Sequence, residues 1–188
     1  MNELWKRFRE VWNINPEDKN FLTSLIRWYV DANGHSGFIE GSIISAQTAL
    51  ELVYNWWIVE NKKMILGKDS ENISASNKIR LLISQLNISS SIPDAFIELQ
   101  NFKDTTDNVF DAPDSIVYIR NSIVHSQEEK RKKLSAINNM AIYEALQVYI
   151  WYIELSLLCI LEYNGDYFNR CSKEIYASKA EQQVPWKK

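Results

Sequence analysis

The chain has few residues that make turns, with five glycines and four prolines among 188 residues. Sandwiches and barrels need many tight turns, and phosphate-binding loops need clustered glycines. This scarcity argues against both architectures and favours helices. The chain is 46% hydrophobic and 24% charged, which is typical of a globular protein with a packed core. Its length predicts one domain over residues 1–188.

Cysteine and net charge are also scarce. Cys159 and Cys171 match neither a disulfide framework nor the spacing of metal ligands, so we expect a reducing compartment and no metal or cofactor. The formal net charge of −3 excludes a broad basic face, and contact with a nucleic acid would need a local patch. No basic and apolar leader precedes the first amphipathic segment, so we expect a cytoplasmic protein.

The most apolar stretch, residues 145–161, has Glu154 near its middle. A carboxylate at that position would be costly inside a bilayer. The stretch is therefore predicted to be a buried helix of an all-α bundle, with no membrane contact.

Apolar residues recur every three or four positions in several segments, which predicts a series of helices. The predicted helices cover residues 4–12, 17–32, 38–61, 79–87, 113–126 and 134–163, with one more that begins at Pro93 and buries Phe96, Ile97 and Leu99. Residues 67–76 and 104–111 are predicted loops, and 163–188 a tail that packs on the bundle. Since adjacent residues of a helix point in different directions, we expect one of Trp56 and Trp57 to be exposed.

The predicted helix 113–126 places an arginine in its apolar stripe. Arg120 falls among the apolar positions at about 100° per residue, although a buried guanidinium needs a carboxylate, a phosphate or a route to water. A polar row occupies the opposite face and consists of Asp114, Tyr118, Asn121 and His125. One interpretation is a cleft that holds a substrate. The alternative is an arginine paired with an interior acid and a surface histidine at the end of a helix.

Residues 119–125, Ile-Arg-Asn-Ser-Ile-Val-His, resemble the Arg-x(4–6)-His signature of HEPN domains in its Arg-Asn-x-x-x-His form. Further segments resemble the ApeA-like branch of that superfamily: Phe21-Leu22 with Trp28-Tyr29, residues 46–51, residues 163–167, and Val184-Pro185-Trp186. The resemblance covers nearly the whole chain. It implies an HEPN-like helical bundle that dimerises through the motif helix.

The resemblance also implies a metal-independent endoribonuclease in bacterial anti-phage defence or a toxin-type system. The 2′-hydroxyl of the RNA would be the nucleophile. His125 would act as general acid or base, and Arg120 would bind the scissile phosphate. Asn121 would orient the imidazole or bind a phosphate oxygen. Some HEPN domains bind nucleotides, RNA or proteins without cutting RNA, and this non-catalytic module is the alternative.

A symmetric dimer would supply both an acid and a base, because each protomer contributes one histidine. The expected partners are therefore a second copy of the chain and the RNA substrate, together with other domains of a longer defence protein or a regulating partner. The arginine within the stripe would then lie at the seam between protomers.

The remaining candidate residues are polar or basic. Glu51 lies near one direction of its helix with Glu40, Gln47 and Asn55, and it either pairs with Arg120 or belongs to a solvated face. Glu51, Tyr118 and Asp114 are candidate supporting residues. A run of four cations follows the motif and either tracks the RNA backbone or forms a solvated helix start: Lys130, Arg131, Lys132 and Lys133.

Overall fold

A computed structural model describes residues 2–34, 38–124, 132, 134–173 and 180–187. The described part is mostly helical, which confirms the predicted all-α class. The α-helices are α1 (Asn2–Ile14), α2 (Pro16–Asn33), α3 (Ile39–Tyr54), α4 (Gly67–Ser70), α5 (Ala75–Gln85), α6 (Ile97–Thr105), α7 (Ala112–Val124) and α8 (Asn139–Ile160). A π-helix (Asn55–Asn61) continues α3. Two short strands, β1 (Asp166–Phe168) and β2 (Glu181–Gln183), pair antiparallel in the tail.

Helices α3 and α8 form the centre of the bundle. Helix α3 packs against α2, α5, α7 and α8, and α8 also contacts α2, α6 and α7. Helix α8 is apolar around most of its circumference, as expected for a helix surrounded by others, and Tyr149 and Tyr152 on it are fully buried. None of the described helices is both long enough and apolar enough to cross a membrane.

Local capping explains where several helices begin. Asn15 Oδ1 accepts a hydrogen bond from the Asp18 N–H at 2.7 Å, and Pro16 occupies the first turn of α2, the usual signature of a helix N-terminus. Asn138 Oδ1 accepts from the Met140 N–H in the same way and begins α8. The predicted bounds of α2 are accordingly within one residue of those in the structure.

Helix α6 begins later than predicted. Pro93 belongs to a turn in which its carbonyl accepts from the Phe96 N–H, and the helix starts at Ile97. The Glu144 carboxylate of α8 accepts from the Leu99 N–H at 2.6 Å, so a residue distant in sequence caps this end. The prediction that Ile97 is buried was wrong, because its side chain is 65% exposed.

Other expected boundaries also differ from the structure. The predicted loop over residues 67–76 contains the short helix α4, and the predicted loop that starts at residue 104 overlaps the end of α6. Of the predicted helix over residues 134–163, the part that forms one long helix is α8. The short strands β1 and β2 were not predicted. The start of helix α7 agrees with the prediction to within one residue, while positions 125 and 126 at its predicted end lie outside the described residues.

The tail lies against the bundle where it is described. Cys171 is buried in the core, and the Trp186 indole N–H donates to the Tyr163 carbonyl at 2.9 Å. Arg170 reaches α8, where it binds Glu154 and Gln147. These contacts make the tail one wall of the bundle.

The expectation that one of Trp56 and Trp57 is exposed was wrong. Both indoles are half-buried against the core. Trp56 stacks on Phe21 with ring centroids 4.3 Å apart, and Trp57 meets Trp56 edge-on. The expectation failed because an apolar face about 100° wide or more can bury two adjacent residues, as Trp28 and Tyr29 of α2 also show by packing against the core.

Candidate active site

The N-terminal end of α7 is fixed to α5 by charged groups. Asp111 Oδ1 accepts from the Asp114 N–H at 3.0 Å and caps the helix. Both Asp111 carboxylate oxygens accept from Arg80 at 2.7 Å, and Asp114 Oδ2 lies 2.5 Å from Arg80 Nη2. The predicted supporting residue Asp114 is therefore part of an ion pair that joins α5 and α7. It lies six residues, or about 9 Å along the axis, from Arg120.

Arg120 lies on α7 between the buried residues Ile119 and Ser122. Its side chain is half-buried, and Nη1 donates to Asn121 Oδ1 at 3.1 Å. The Nε–H group is buried and has no hydrogen-bond partner among the described residues. A buried, unpaired N–H of a guanidinium is energetically costly, and an anion that approached it would remove that cost.

A chain of hydrogen bonds crosses the core between α8 and α3 near this arginine. The Tyr149 hydroxyl donates to Gln47 Oε1 at 2.7 Å, and Gln47 Nε2 donates to Glu51 Oε1 at 2.8 Å. We call these three residues the Tyr149 chain. Burial raises the pKa of Tyr149 above its usual range, the charge of Arg120 opposes that shift, and Glu51 adds to it. Arg120 and Glu51 thus both act electrostatically on one buried phenol.

Glu51 matches neither of its two predicted roles fully, which were an ion pair with Arg120 and a place on a solvated helix face. It makes no direct ion pair with Arg120 within the described residues, and it is half-buried and bound by Gln47 rather than fully solvated. Gln47 was expected near the same polar direction, but it is 1% exposed. The Tyr149 chain therefore links Glu51 to the interior of the bundle.

The sequence predictions missed Gln47 and Tyr149. A signal for Gln47 exists, because it follows Ile43 by four residues and precedes Leu50 by three, and both are buried apolar residues of α3. A polar side chain at that spacing is expected to face the core. Tyr149 has no comparable signal, since α8 is apolar on nearly all sides.

The predicted polar row of α7 does not line one open surface over its described length. Asp114 binds Arg80, and Asn121 accepts from Arg120. Tyr118 is half-buried and meets Phe102 of α6 edge-on, with ring centroids 5.5 Å apart. Of the row, Asn121 alone contacts Arg120 through a described hydrogen bond.

The other predicted residues lie mostly beyond the described part of the chain. His125, Lys130, Arg131 and Lys133 are outside it. Lys132 is described and exposed, and its carbonyl accepts from the Ser135 hydroxyl. Its role in contacting RNA stays a prediction, as do the roles of the other three cations.

Comparison with known proteins identifies the family. A protein of Bacillus subtilis (strain 168), the SPbeta prophage-derived uncharacterized protein YopA, is 34% identical over 174 residues, which are 92% of this chain and 37% of that protein. The chain therefore spans about a third of the relative's length. No solved structure matches the chain. The description of this relative does not name an HEPN domain, so that resemblance stays a prediction.

The family model of the YopA C-terminal domain matches residues 15–181, a range that includes both Arg120 and His125. The match extends from the start of α2 to β2 and so covers the helices that hold Arg120, the Tyr149 chain and the Arg80 ion pair. The chain thus belongs to the YopA C-terminal domain family.

Proposed function

We propose that this domain is a metal-independent endoribonuclease of the HEPN type, with Arg120 and His125 as its catalytic pair. The observation that carries the proposal is the buried Nε–H of Arg120, which lacks a partner in the described residues. A phosphodiester could accept from this group, and a guanidinium is well suited to stabilising the charge that develops on phosphorus-bound oxygens.

The reaction uses the RNA's own nucleophile. The 2′-oxygen attacks the adjacent phosphorus as a histidine takes its proton, and the bond from phosphorus to the 5′-oxygen breaks as a second group protonates the leaving oxygen. The products are a 2′,3′-cyclic phosphate and a 5′-hydroxyl. Histidine suits both proton transfers, because its pKa lies near neutral pH.

Asn121 and the Tyr149 chain would position Arg120. Asn121 Oδ1 already accepts from Nη1 at 3.1 Å, which restricts the orientation of the guanidinium. The Glu51 carboxylate, held by Gln47, provides a fixed negative charge in the same region of the core. Fixed dipoles and charges around a catalytic group lower the cost of reorganising it during reaction.

A homodimer would complete the site by bringing His125 of the partner subunit close to the first histidine. Two exposed apolar side chains support a contact along this helix: Phe110, two residues before α7, is 76% exposed, and Val124, its last residue, is 42% exposed. A dimer contact along α7 would remove these apolar side chains from water. Light scattering at micromolar concentration is expected to give twice the mass of one chain, and a monomer would contradict the shared site.

The proposed location of this activity is the cytoplasm, and the proposed role is bacterial anti-phage defence or a toxin-type system. The prophage-derived relative supports the second point. Because the chain spans 37% of that relative, further domains of a longer protein are proposed as regulators of the nuclease.

The alternative is a non-catalytic module in which Arg120 holds a phosphate of RNA or a nucleotide without cleavage. The pair formed by Arg120 and Asn121 favours this alternative, because it supplies donors for a phosphate and needs no histidine. Binding and cleavage assays on the same variants distinguish the two functions.

The test is cleavage of labelled RNA in EDTA. We expect Arg120→Ala and His125→Ala each to lower the rate by about 10²–10⁴-fold, with Arg27→Ala, at an exposed position of α2, as the matched control. The wild-type product should carry a 2′,3′-cyclic phosphate. Cleavage that persists in both site variants would refute the site, and RNA binding without cleavage in the wild type would favour the alternative.

A further inference from the structure

A cavity of about 710 Å³ opens between α1, α2, α8 and the tail. Its walls are mainly aliphatic and aromatic side chains, among them Phe8, Ile26, Leu157 and Tyr167. This size is within the usual range of small-molecule sites in proteins. Neither Arg120 nor any residue of the Tyr149 chain lines it, so it is separate from the proposed nuclease site.

The polar part of the cavity wall is one network with no net charge. Arg170 donates from Nε to Glu154 Oε2 at 2.9 Å and from Nη1 to Gln147 Oε1 at 2.9 Å. The Tyr29 hydroxyl donates to Glu154 Oε1 at 2.9 Å. Burial and the nearby Glu154 charge raise the pKa of Tyr29 to about 12, so its proton is retained at neutral pH. The positive and negative charges cancel within the network.

Gln147 supplies a donor that this network leaves unused. Its side chain lines the cavity and is 7% exposed. The oxygen accepts from Arg170, whereas Nε2 is buried and has no hydrogen-bond partner among the described residues. An amide nitrogen in that state carries a desolvation cost. A ligand atom that accepts a hydrogen bond would remove it.

The mouth of the cavity carries apolar side chains. Val30 of α2, Tyr143 of α8 and Phe168 of β1 line it and are 56%, 44% and 54% exposed. An apolar ligand that entered here would cover part of these side chains, which stabilises the complex by about 25 cal/mol per Å² of apolar surface removed from water.

From this arrangement we infer that the cavity binds an uncharged, largely apolar small molecule whose carbonyl or other acceptor oxygen accepts from Gln147 Nε2. An anionic headgroup fits poorly, because Glu154 already neutralises Arg170 and the Glu154 carboxylate would repel the anion. A cationic headgroup also fits poorly, because it would lie beside the positive charge of Arg170 and the N–H donor of Gln147. The inference does not depend on the proposed ribonuclease activity.

The test uses prodan, an uncharged naphthyl ketone whose emission shifts to shorter wavelength in apolar surroundings. We expect the purified chain to bind it saturably. Decanamide should displace it at a concentration at least about tenfold lower than decanoate at pH 8, since the hydrogen bond and the absence of charge both favour the amide.

Three variants locate the site. Gln147→Leu removes the donor and should weaken prodan binding by about tenfold. Leu157→Trp fills the cavity and should abolish binding. Ile44→Trp, at an exposed position of α3 outside the cavity, should bind as the wild type does. Circular dichroism melting curves establish that each variant is folded, and the comparison uses the folded ones.

The inference is overturned if wild-type protein does not bind prodan, or if folded Leu157→Trp and Ile44→Trp bind it equally. It is also overturned if decanoate displaces the probe as well as decanamide does, because the site would then not distinguish an uncharged ligand from an anion. RNA cleavage by these variants is a separate measurement, so failure of this inference and failure of the nuclease are distinguishable.

Discussion

Tyr149 and Gln47 join the two central helices through one hydrogen bond in the dry core of the bundle. The donor and acceptor oxygens are 2.7 Å apart, and the two residues are 0% and 1% exposed. Because Gln47 also binds Glu51, this bond fixes a polar side chain between apolar layers. A polar group in such a position costs free energy whenever its partner is removed.

Tyr149→Phe tests this bond. The variant leaves Gln47 Oε1 buried without its donor, so we expect the free energy of unfolding to fall by about 1–3 kcal/mol. Urea denaturation measures it. Tyr163→Phe is the matched control, since its hydroxyl donates to the Asp166 carbonyl at an exposed position where water can replace the bond. Equal losses in the two variants would contradict the importance of the buried pair.

Arg80→Met tests the ion pair between α5 and α7. The substitution keeps much of the side-chain volume but leaves Asp111 and Asp114 as neighbouring carboxylates without their cation. We expect a loss of about 1–3 kcal/mol in unfolding free energy, which added salt should reduce. Arg27→Met at an exposed position should change stability little.

Asp114→Asn separates a structural role of this aspartate from a catalytic one. The variant should be less stable than wild type because it weakens the contact with Arg80. The folded fraction should cleave RNA at the wild-type rate if the ion pair is the residue's main role. A rate loss of about 10²-fold or more, as expected for a catalytic group, would instead support Asp114 as part of the active site.

Glu144→Gln tests a pH dependence. Burial raises the pKa of Glu144 above its ordinary value of 4.5, and the charge of Glu98 adds to the shift, although the Leu99 N–H lowers it. A carboxyl with a raised pKa in the folded state stabilises the fold fully below its unfolded pKa, and this contribution is lost as the pH rises through the folded pKa. The stability of wild type relative to the variant should therefore fall between pH 4 and pH 7.

Urea denaturation at these two pH values measures the effect of Glu144→Gln. The glutamine oxygen can still accept from the Leu99 N–H, so the comparison isolates the charge. Glu181→Gln at an exposed position of β2 is the control and should show no such trend. A constant difference between wild type and Glu144→Gln at both pH values would count against a raised pKa.

The two cysteines are expected to react slowly with thiol reagents. Burial raises the pKa of Cys159 to about 11 and that of Cys171 above its usual range, and the thiolate is the reactive form. With Ellman's reagent at pH 8, the folded protein should react much more slowly than protein unfolded in guanidinium chloride. An added cysteine at the exposed Ser89 should react at once. Immediate reaction of both native thiols would contradict the raised pKa values of the half-buried Cys159 and the buried Cys171.

Where the chain carries strong local signals, the sequence was sufficient to predict the bounds of a helix. The apolar face of α2 is regular, and its predicted bounds, residues 17–32, lie within one residue of those in the structure at both ends. The start of α6 was missed because the carboxylate that caps this end belongs to Glu144, which is 45 residues from the Leu99 N–H that it binds. Strands β1 and β2 were missed because each has three residues, too few for an alternating pattern to be recognised.

The candidate site was predicted in part for the same reason. The position of Arg120 within an apolar stripe follows from helical periodicity alone, and the structure places it in the bundle with a buried Nε. The Tyr149 chain depends on which faces of α3 and α8 meet, and this is a property of the tertiary fold that periodicity within one helix does not contain. The cavity beside Gln147 depends on the tail as well.

The π-helix that follows α3 has a consequence for how the family can change in length. Its hydrogen bonds, such as that from the Lys62 N–H to the Trp57 carbonyl at 2.8 Å, enclose one residue more than those of an α-helix. The segment therefore contains one residue more than a regular α-helix would hold, without forming a loop. Relatives that lack one residue between positions 55 and 61 are expected to return to α-helical geometry there.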